Sequence, residues 1–238
     1  MSASTPKKHS FFGGAAILTA GIVIVKLIGA LYKVPLGNIL TDAGFADFNT
    51  AYDIYSLLIV ISTGGLPVAL SKMVSEANAL GRTNQVNKVF HLATVAFCIL
   101  GTISFLIMAV FPQQLADAMK NSRAYWSILA LAPAVFFICP MSALRGYFQG
   151  SSLMTPTAIS QFIEAICMLV IGLMLANAMM KADKYETLAA AGAILGVSVG
   201  VALAMVYMYL CYRGRIERQK PGRDVPYSGR EILSRLAK

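Results

Sequence analysis

Five polar residues sit where apolar helices offer them little water. Lys26 and Lys33 lie in "GIVIVKLIGALYKVP", Gly21 to Pro35. Asn49 and Asp53 belong to the next apolar run, and Glu164 to a later one. Lys26 falls about three residues from the centre of a stretch running from about Phe11 to Val34. A lysine at that depth costs roughly 2.5–3.5 kcal/mol on insertion scales. Apolar turns flank it on both sides, so snorkelling relieves only part of the cost. Lys33 follows two helical turns later and shares its face. Gly29 lies between them, and Thr19 continues the stripe inward. A narrow polar and small-residue stripe of this kind faces protein or water. Its chemistry is fixed positive charge along a path through the membrane.

The second run carries its own stripe. Asn49, Asp53, Ser56 and Thr63 recur at helical spacing, with Val60 interrupting and Tyr52 and Tyr55 flanking Asp53. Two readings of Asp53 stand: an ion pair with Lys26 or Lys33 across a cavity, or a group near the outer interface. Such a pair either joins two helices or serves function, and an intramembrane charge such as Lys26 is read as functional by default. Glu164 has Thr157, Ser160 and Gln161 on its side of the helix. It reads either as a hydrogen-bonded group joining helices or as a proton or cation site. "STGGLPVALS" puts Gly64, Gly65 and Pro67 inside the second run, and Pro133 and Pro140 interrupt the fourth. Breaks of this kind free backbone groups that neighbouring helices or a wet cavity must satisfy. They serve as packing features or as hinges of a moving transporter.

The elements that position these residues follow from composition. The chain has 238 residues, 57% of them hydrophobic and 13% charged. That is too little charge for the surface of a soluble domain of this length. Six apolar runs reach the roughly 20 residues that a spanning helix needs. They cover about Phe11–Val34, Ala46–Leu70 (continuing as an amphipathic helix to Leu80), Val86–Phe111, Tyr125–Phe148, Pro156–Met180 and Thr187–Tyr212. The expected fold is all-α, a polytopic bundle of six transmembrane helices. Residues 1–10 form a cytoplasmic N-terminus, 11–212 the six-helix lobe, and 213–238 a basic tail or linker to a second lobe.

Orientation follows from the cations in the loops. With the N-terminus inside, the cytoplasmic side holds Lys7, Lys8, Lys72, Arg82, Lys88, Arg145 and eight cations after Tyr212. The outer side holds Lys33, Lys120, Arg123, Lys181 and Lys184. Both termini are therefore expected in the cytoplasm. The net charge of +9 does not indicate nucleic acid, because no aromatic-rich basic module accompanies the clustered cations. Ser228 to Lys238 reads as a short amphipathic helix on an anionic lipid surface, with Ile232, Leu233 and Leu236 on one side.

Cys98, Cys139, Cys167 and Cys211 are widely spaced inside apolar runs, so buried free thiols are expected, with neither disulfide nor metal. The N-terminal run is too long for a cleavable signal peptide and lacks a cleavage site. No phosphate-binding loop, nucleophile elbow or catalytic carboxylate pair occurs, so no enzyme and no cofactor are expected.

Three stretches carry a family likeness: "VKLIGALYKVPLGNIL", "GLPVALSKMVSEANALGR" from Gly65 to Arg82, and "ALRGYFQGSSLMTPTAISQFIE" from Ala143 to Glu164. Together they resemble the polysaccharide biosynthesis proteins of Gram-positive bacteria, the stage V sporulation protein B-like group. That group belongs to the multidrug/oligosaccharidyl-lipid/polysaccharide exporter superfamily, alongside the peptidoglycan lipid II flippases. The resemblance runs from about Phe11 to Lys238 and matches a first lobe with its linker.

The resemblance implies a plasma-membrane flippase for a lipid-linked oligosaccharide, working by alternating access of two lobes, with this chain as one half. The partners it implies are an undecaprenyl-diphosphate-linked glycan and a second lobe or second copy. Basic residues of the first helix face the cavity in related flippases, and Lys26 falls where that motif places such a cation. Lys33 lies close to a second position, whose slot Tyr32 occupies. Lys26, Lys33, Asp53 and Asn49 are the implied substrate-binding residues, with Gly64, Gly65 and Pro67 as the hinge. The alternatives are a cation-coupled drug exporter, which would use Asp53 and Glu164, and a membrane scaffold or remnant that transports nothing.

Overall fold

The computed structural model describes residues 8–182, 186–217, 224–229 and 231–232. Among them, six helical segments are long and apolar enough to cross a membrane: Leu18–Ile39, Asp42–Ala79, Thr83–Val110, Ser122–Gly150, Thr155–Lys181 and Glu186–Ile216. The fold is an all-α bundle, as the apolar runs require.

The first span belongs to α1 (Lys8–Ile39), which runs unbroken through Pro35. The second span is two helices, α2 (Asp42–Thr63) and α3 (Leu66–Ala79). Thr41 opens α2, its hydroxyl accepting from the Gly44 N–H at 3.3 Å. The break falls at the two glycines singled out in the sequence. Gly65 has φ +79°, a conformation that side chains disfavour. A Cβ on Gly64 would stand 2.5 Å from the Val60 carbonyl oxygen. Pro67 follows within the first turn of α3, where its missing N–H costs nothing.

Next come α4 (Thr83–Val110), a short α5 (Pro112–Ala118), α6 (Tyr125–Gly150), α7 (Thr155–Cys167), α8 (Leu173–Lys181) and α9 (Glu186–Ile216). A single wide turn, Met168–Gly172, with hydrogen bonds five residues apart, joins α7 to α8. Pro133 and Pro140 do not break α6. Neighbours pack against both. Ser198 of α9 donates to the Ala130 carbonyl at 2.7 Å, three residues before Pro133, and ties α6 to α9 there. Gly101 of α4 brings its backbone against the Phe136 carbonyl, which Pro140 leaves without its usual donor.

The core lies between α6 and α9. Their apolar windows are 61% and 67% buried, against 11% for α1, so α1 is the outlying helix. Small residues let backbones meet, as membrane packing favours. A Cβ on Gly196 of α9 would lie 2.4 Å from the Gly172 nitrogen, and one on Gly150 of α6 would lie 2.5 Å from the Ser71 oxygen of α3. The four cysteines are free thiols, of which Cys139 is fully buried and the others partly so.

After α9 the chain returns to the bundle. The Asp224 carboxylate accepts from the Asn84 and Gln85 N–H groups at 3.0 and 2.8 Å, closing the start of α4. The Tyr227 N–H donates to the Gln85 side chain at 2.6 Å, and Arg82 donates to the Tyr227 hydroxyl at 3.1 Å. Ile232, expected on a lipid surface, is buried against the protein. The rest of that proposed surface helix, from Leu233 onward, lies outside the described residues.

Candidate functional site

A cavity of about 370 Å³ opens between α1, α2, α6, α7 and α9. One wall is the inner stripe of α1, with Val25, Lys26, Gly29 and Tyr32. Periodicity makes that wall, since residues three and four apart share a helix face. Tyr32 is buried and donates to the Ala193 carbonyl at 3.3 Å, anchoring α1 to α9. Tyr52 and Tyr55 line the cavity from α2, their rings 5.6 Å apart. The far side is mixed. Val197 and Val201 of α9 are apolar, while Gln161 and Glu164 of α7 and Arg145 of α6 are polar.

Lys26 is exposed on this wall, and no carboxylate among the described residues lies within 4 Å of it. Its charge is available to whatever enters. Lys33 is also exposed but does not line the cavity. Asp53 is exposed and forms no ion pair among the described residues, so the pairing with Lys26 or Lys33 weighed from the sequence is not formed. Helical phase explains this. Asp53 follows Tyr52 by about 100° around α2, and Tyr52 and Tyr55 take the cavity face. Asn49 is half-buried one turn earlier and does not line the cavity.

Sequence reasoning missed Arg145. The cation count sets it on the cytoplasmic side although it falls within the fourth apolar run, and α6 holds it inside the bundle, on the cavity wall. That correction leaves thirteen cytoplasmic cations against the same five, and the bias keeps its direction. Arg145 pairs with Glu164, and its Nε and Nη2 reach the Ser160 hydroxyl at 3.2 and 3.1 Å. The Ser160 hydroxyl in turn donates a hydrogen bond to the Thr157 carbonyl at 2.8 Å. The signal was present in the sequence: a lone arginine closing one apolar run, and a lone glutamate inside the next. Two neighbouring polar atoms, Gln161 Oε1 and Thr157 Oγ1, are buried without a hydrogen-bond partner among the described residues.

A second charged cluster holds the opposite end of the bundle from Asp224. Asp47 of α2 is 1% exposed and lies 3.5 Å from Arg123, which also reaches Glu186 of α9 at 3.0 Å. It ties α2, the turn before α6 and the start of α9 together, away from the cavity. No group of three or more His, Cys, Asp or Glu suited to a metal ion occurs among the described residues.

Comparison with known proteins follows the same outline. The family model described as "Polysaccharide biosynthesis protein" matches residues 11–226. Three curated relatives come from Bacillus subtilis (strain 168). Stage V sporulation protein B is 28% identical over 207 residues, covering 87% of this chain and 40% of the relative. Lipid II flippase MurJ is 27% identical over 212 residues, covering 85% and 39%. Uncharacterized membrane protein YabM is 28% identical over 203 residues, covering 85% and 37%. The chain therefore spans about two fifths of the length of the curated relatives it matches.

Proposed function

This chain belongs to the polysaccharide biosynthesis protein family and is a multi-pass bacterial membrane protein, and from that premise we propose that it supplies one lobe of a flippase for lipid-linked glycan precursors. The substrate is an undecaprenyl-diphosphate-linked sugar, and Lys26 holds its diphosphate. One observation carries the reading: Lys26 stands on the cavity wall with no carboxylate among the described residues within 4 Å of it. A diphosphate crossing an apolar slab about 30 Å thick needs fixed countercharge on its path. An unpartnered lysine supplies that charge, whereas one already paired would first have to be freed.

Lys33 extends the positive stripe toward the outer end of α1. The Gly64–Gly65 break lets α2 and α3 bend relative to each other. Alternating access needs a second lobe or a second copy of this chain, and both termini face the cytoplasm. The drug-exporter alternative needs an available acidic group in the cavity. Glu164 is the carboxylate lining it and is held by Arg145, which weighs against that alternative.

Native mass spectrometry of the purified chain with undecaprenyl-diphosphate-linked sugar tests the reading. Wild type is expected to retain the lipid and Lys26→Ala to lose it, with the same spectra reporting monomer or dimer. Equal retention by both proteins, or by neither, refutes the role given to Lys26.

A further inference from the structure

The cavity holds a second cation, and it is already occupied. Arg145 reaches in from α6, with Nη2 on Glu164 and both Nε and Nη2 on the Ser160 hydroxyl. Its remaining nitrogen, Nη1, has no hydrogen-bond partner among the described residues. The pair is not sealed. The two side chains are 15% and 22% exposed, and both line the cavity that Lys26 lines. A guanidinium suits a phosphate as well as it suits a carboxylate, because its planar fork matches either.

We propose that Arg145 is a second anion-holding residue of this cavity, and that Glu164 keeps its seat until a diphosphate displaces it. The inference rests on the reading of Lys26 above and adds the opposite wall to it. Charge balance gives the reason. Lys26, Arg145 and Glu164 together leave one positive charge, while a diphosphate between a lipid and a sugar carries a negative charge on each phosphate. Two cations face two anionic groups only when Glu164 is neutral.

A carboxylate displaced from its arginine, beside Met168, Val197 and Val201 and close to an anion, holds its charge at high cost. It takes a proton from solution instead. An O–H bond forms on the Glu164 carboxyl, the ion pair separates, and no other covalent bond changes. The titratable and charged groups that line the cavity with Glu164 are Lys26 and Tyr32 from α1, Tyr52 and Tyr55 from α2, and Arg145 from α6, while α9 lines it with Val197 and Val201. None of these neighbours is a carboxylate or an imidazole, so the proton has one destination. Ligand binding is then linked to uptake of a proton, and affinity rises as pH falls.

The test is calorimetric titration of the full chain in lipid nanodiscs with farnesyl-diphosphate-linked N-acetylglucosamine, between about pH 6 and about pH 8. Both phosphates of this probe are ionised throughout, so the probe contributes no proton of its own. Wild type is expected to gain up to about tenfold in affinity for each pH unit lowered. Glu164→Gln removes the competing charge and is expected to bind at every pH as tightly as wild type does in acid, with no slope. Lys26→Ala is expected to bind more weakly throughout and to keep the slope. Arg145→Gln combined with Glu164→Gln leaves no orphaned charge and is expected to lose about tenfold relative to Glu164→Gln alone.

A flat wild-type profile, or a double variant as tight as Glu164→Gln, overturns the inference. A flat profile with Lys26→Ala still weakened sinks this inference and leaves the Lys26 reading standing. Unchanged binding by Lys26→Ala, or no binding by wild type, sinks both.

Discussion

The Asp224 carboxylate accepts from the Gln85 N–H at 2.8 Å, so the start of α4 is capped by a residue that follows α9. Burial works against the charge of Asp224, but the N–H groups of Asn84 and Gln85, with Arg82 nearby, outweigh it. The carboxyl is held below its ordinary value. A group lowered on folding contributes stability above its unfolded value, about pH 4, and loses it as pH falls through the folded value. The clasp is therefore complete at neutral pH and releases only in acid. Hydrogen exchange corrected for intrinsic rates should show Asn84 and Gln85 protected at neutral pH. Asp224→Ala should raise their exchange several-fold there, and wild type should lose the protection only below about pH 4.

Removing either partner of Arg145 and Glu164 singly should destabilise the fold, because it leaves an uncompensated charge among apolar helices. Partial exposure to the cavity reduces the cost to about 3 kcal/mol or less. Replacing both by methionine should recover most of the loss. Thermal unfolding of the single and double variants in detergent measures this, and additive losses would contradict the pairing.

The glycine contacts divide sharply. Gly196→Ala would place its Cβ 2.4 Å from the Gly172 nitrogen, and Gly150→Ala 2.5 Å from the Ser71 oxygen. Each should cost about 1–3 kcal/mol through forced helix separation. Gly37→Ala meets nothing within 4 Å and should be neutral or slightly stabilising. Melting temperatures of the three variants give the comparison.

At the break between α2 and α3, Gly65→Ala should cost about 1–2 kcal/mol, because φ is +79°. Gly65→Asn should cost less, since asparagine tolerates that conformation better. If the break bends during transport, Gly65→Ala should slow lipid movement in proteoliposomes more than it lowers lipid binding.

Orientation is open to direct labelling. In a variant without its four cysteines, a cysteine at Lys181 should react with an impermeant maleimide from outside intact cells. One at Lys88 should react only after the cells are opened. The reverse pattern would invert the topology that the cation count implies.

The six spans were legible because each is a long apolar run, and the second break because Gly64, Gly65 and Pro67 mark it. Helix phase was harder. The sequence leaves Asp53 open between a pair with Lys26 or Lys33 and a place near the outer interface, and in the fold Tyr52 and Tyr55 hold the cavity face and turn Asp53 aside. Arg145 entered the cation count because a cation near the end of an apolar run reads as an interface residue. Its partner Glu164 lies on another span, and past Arg145 the glycines Gly146 and Gly150 let α6 lie against the backbone of α3. Asp224 carries no local sign of its partners, since capping the start of α4 depends on how the chain returns. Lys26 and Gly29 line the cavity together, because one helix face is the simplest pattern a sequence can carry.

The wide turn at Met168–Gly172 acts as a phase adjuster in the fifth span. On its cavity side, Glu164 must face Arg145. On its other side, Gly172 must face Gly196, where no Cβ fits. The extra residue accommodated in that turn lets both alignments hold in one helix. Were the same residues wound as a regular α-helix, the two halves would rotate by about 100° relative to each other. One alignment would then be lost, and the span would keep either its charged contact or its close helix crossing.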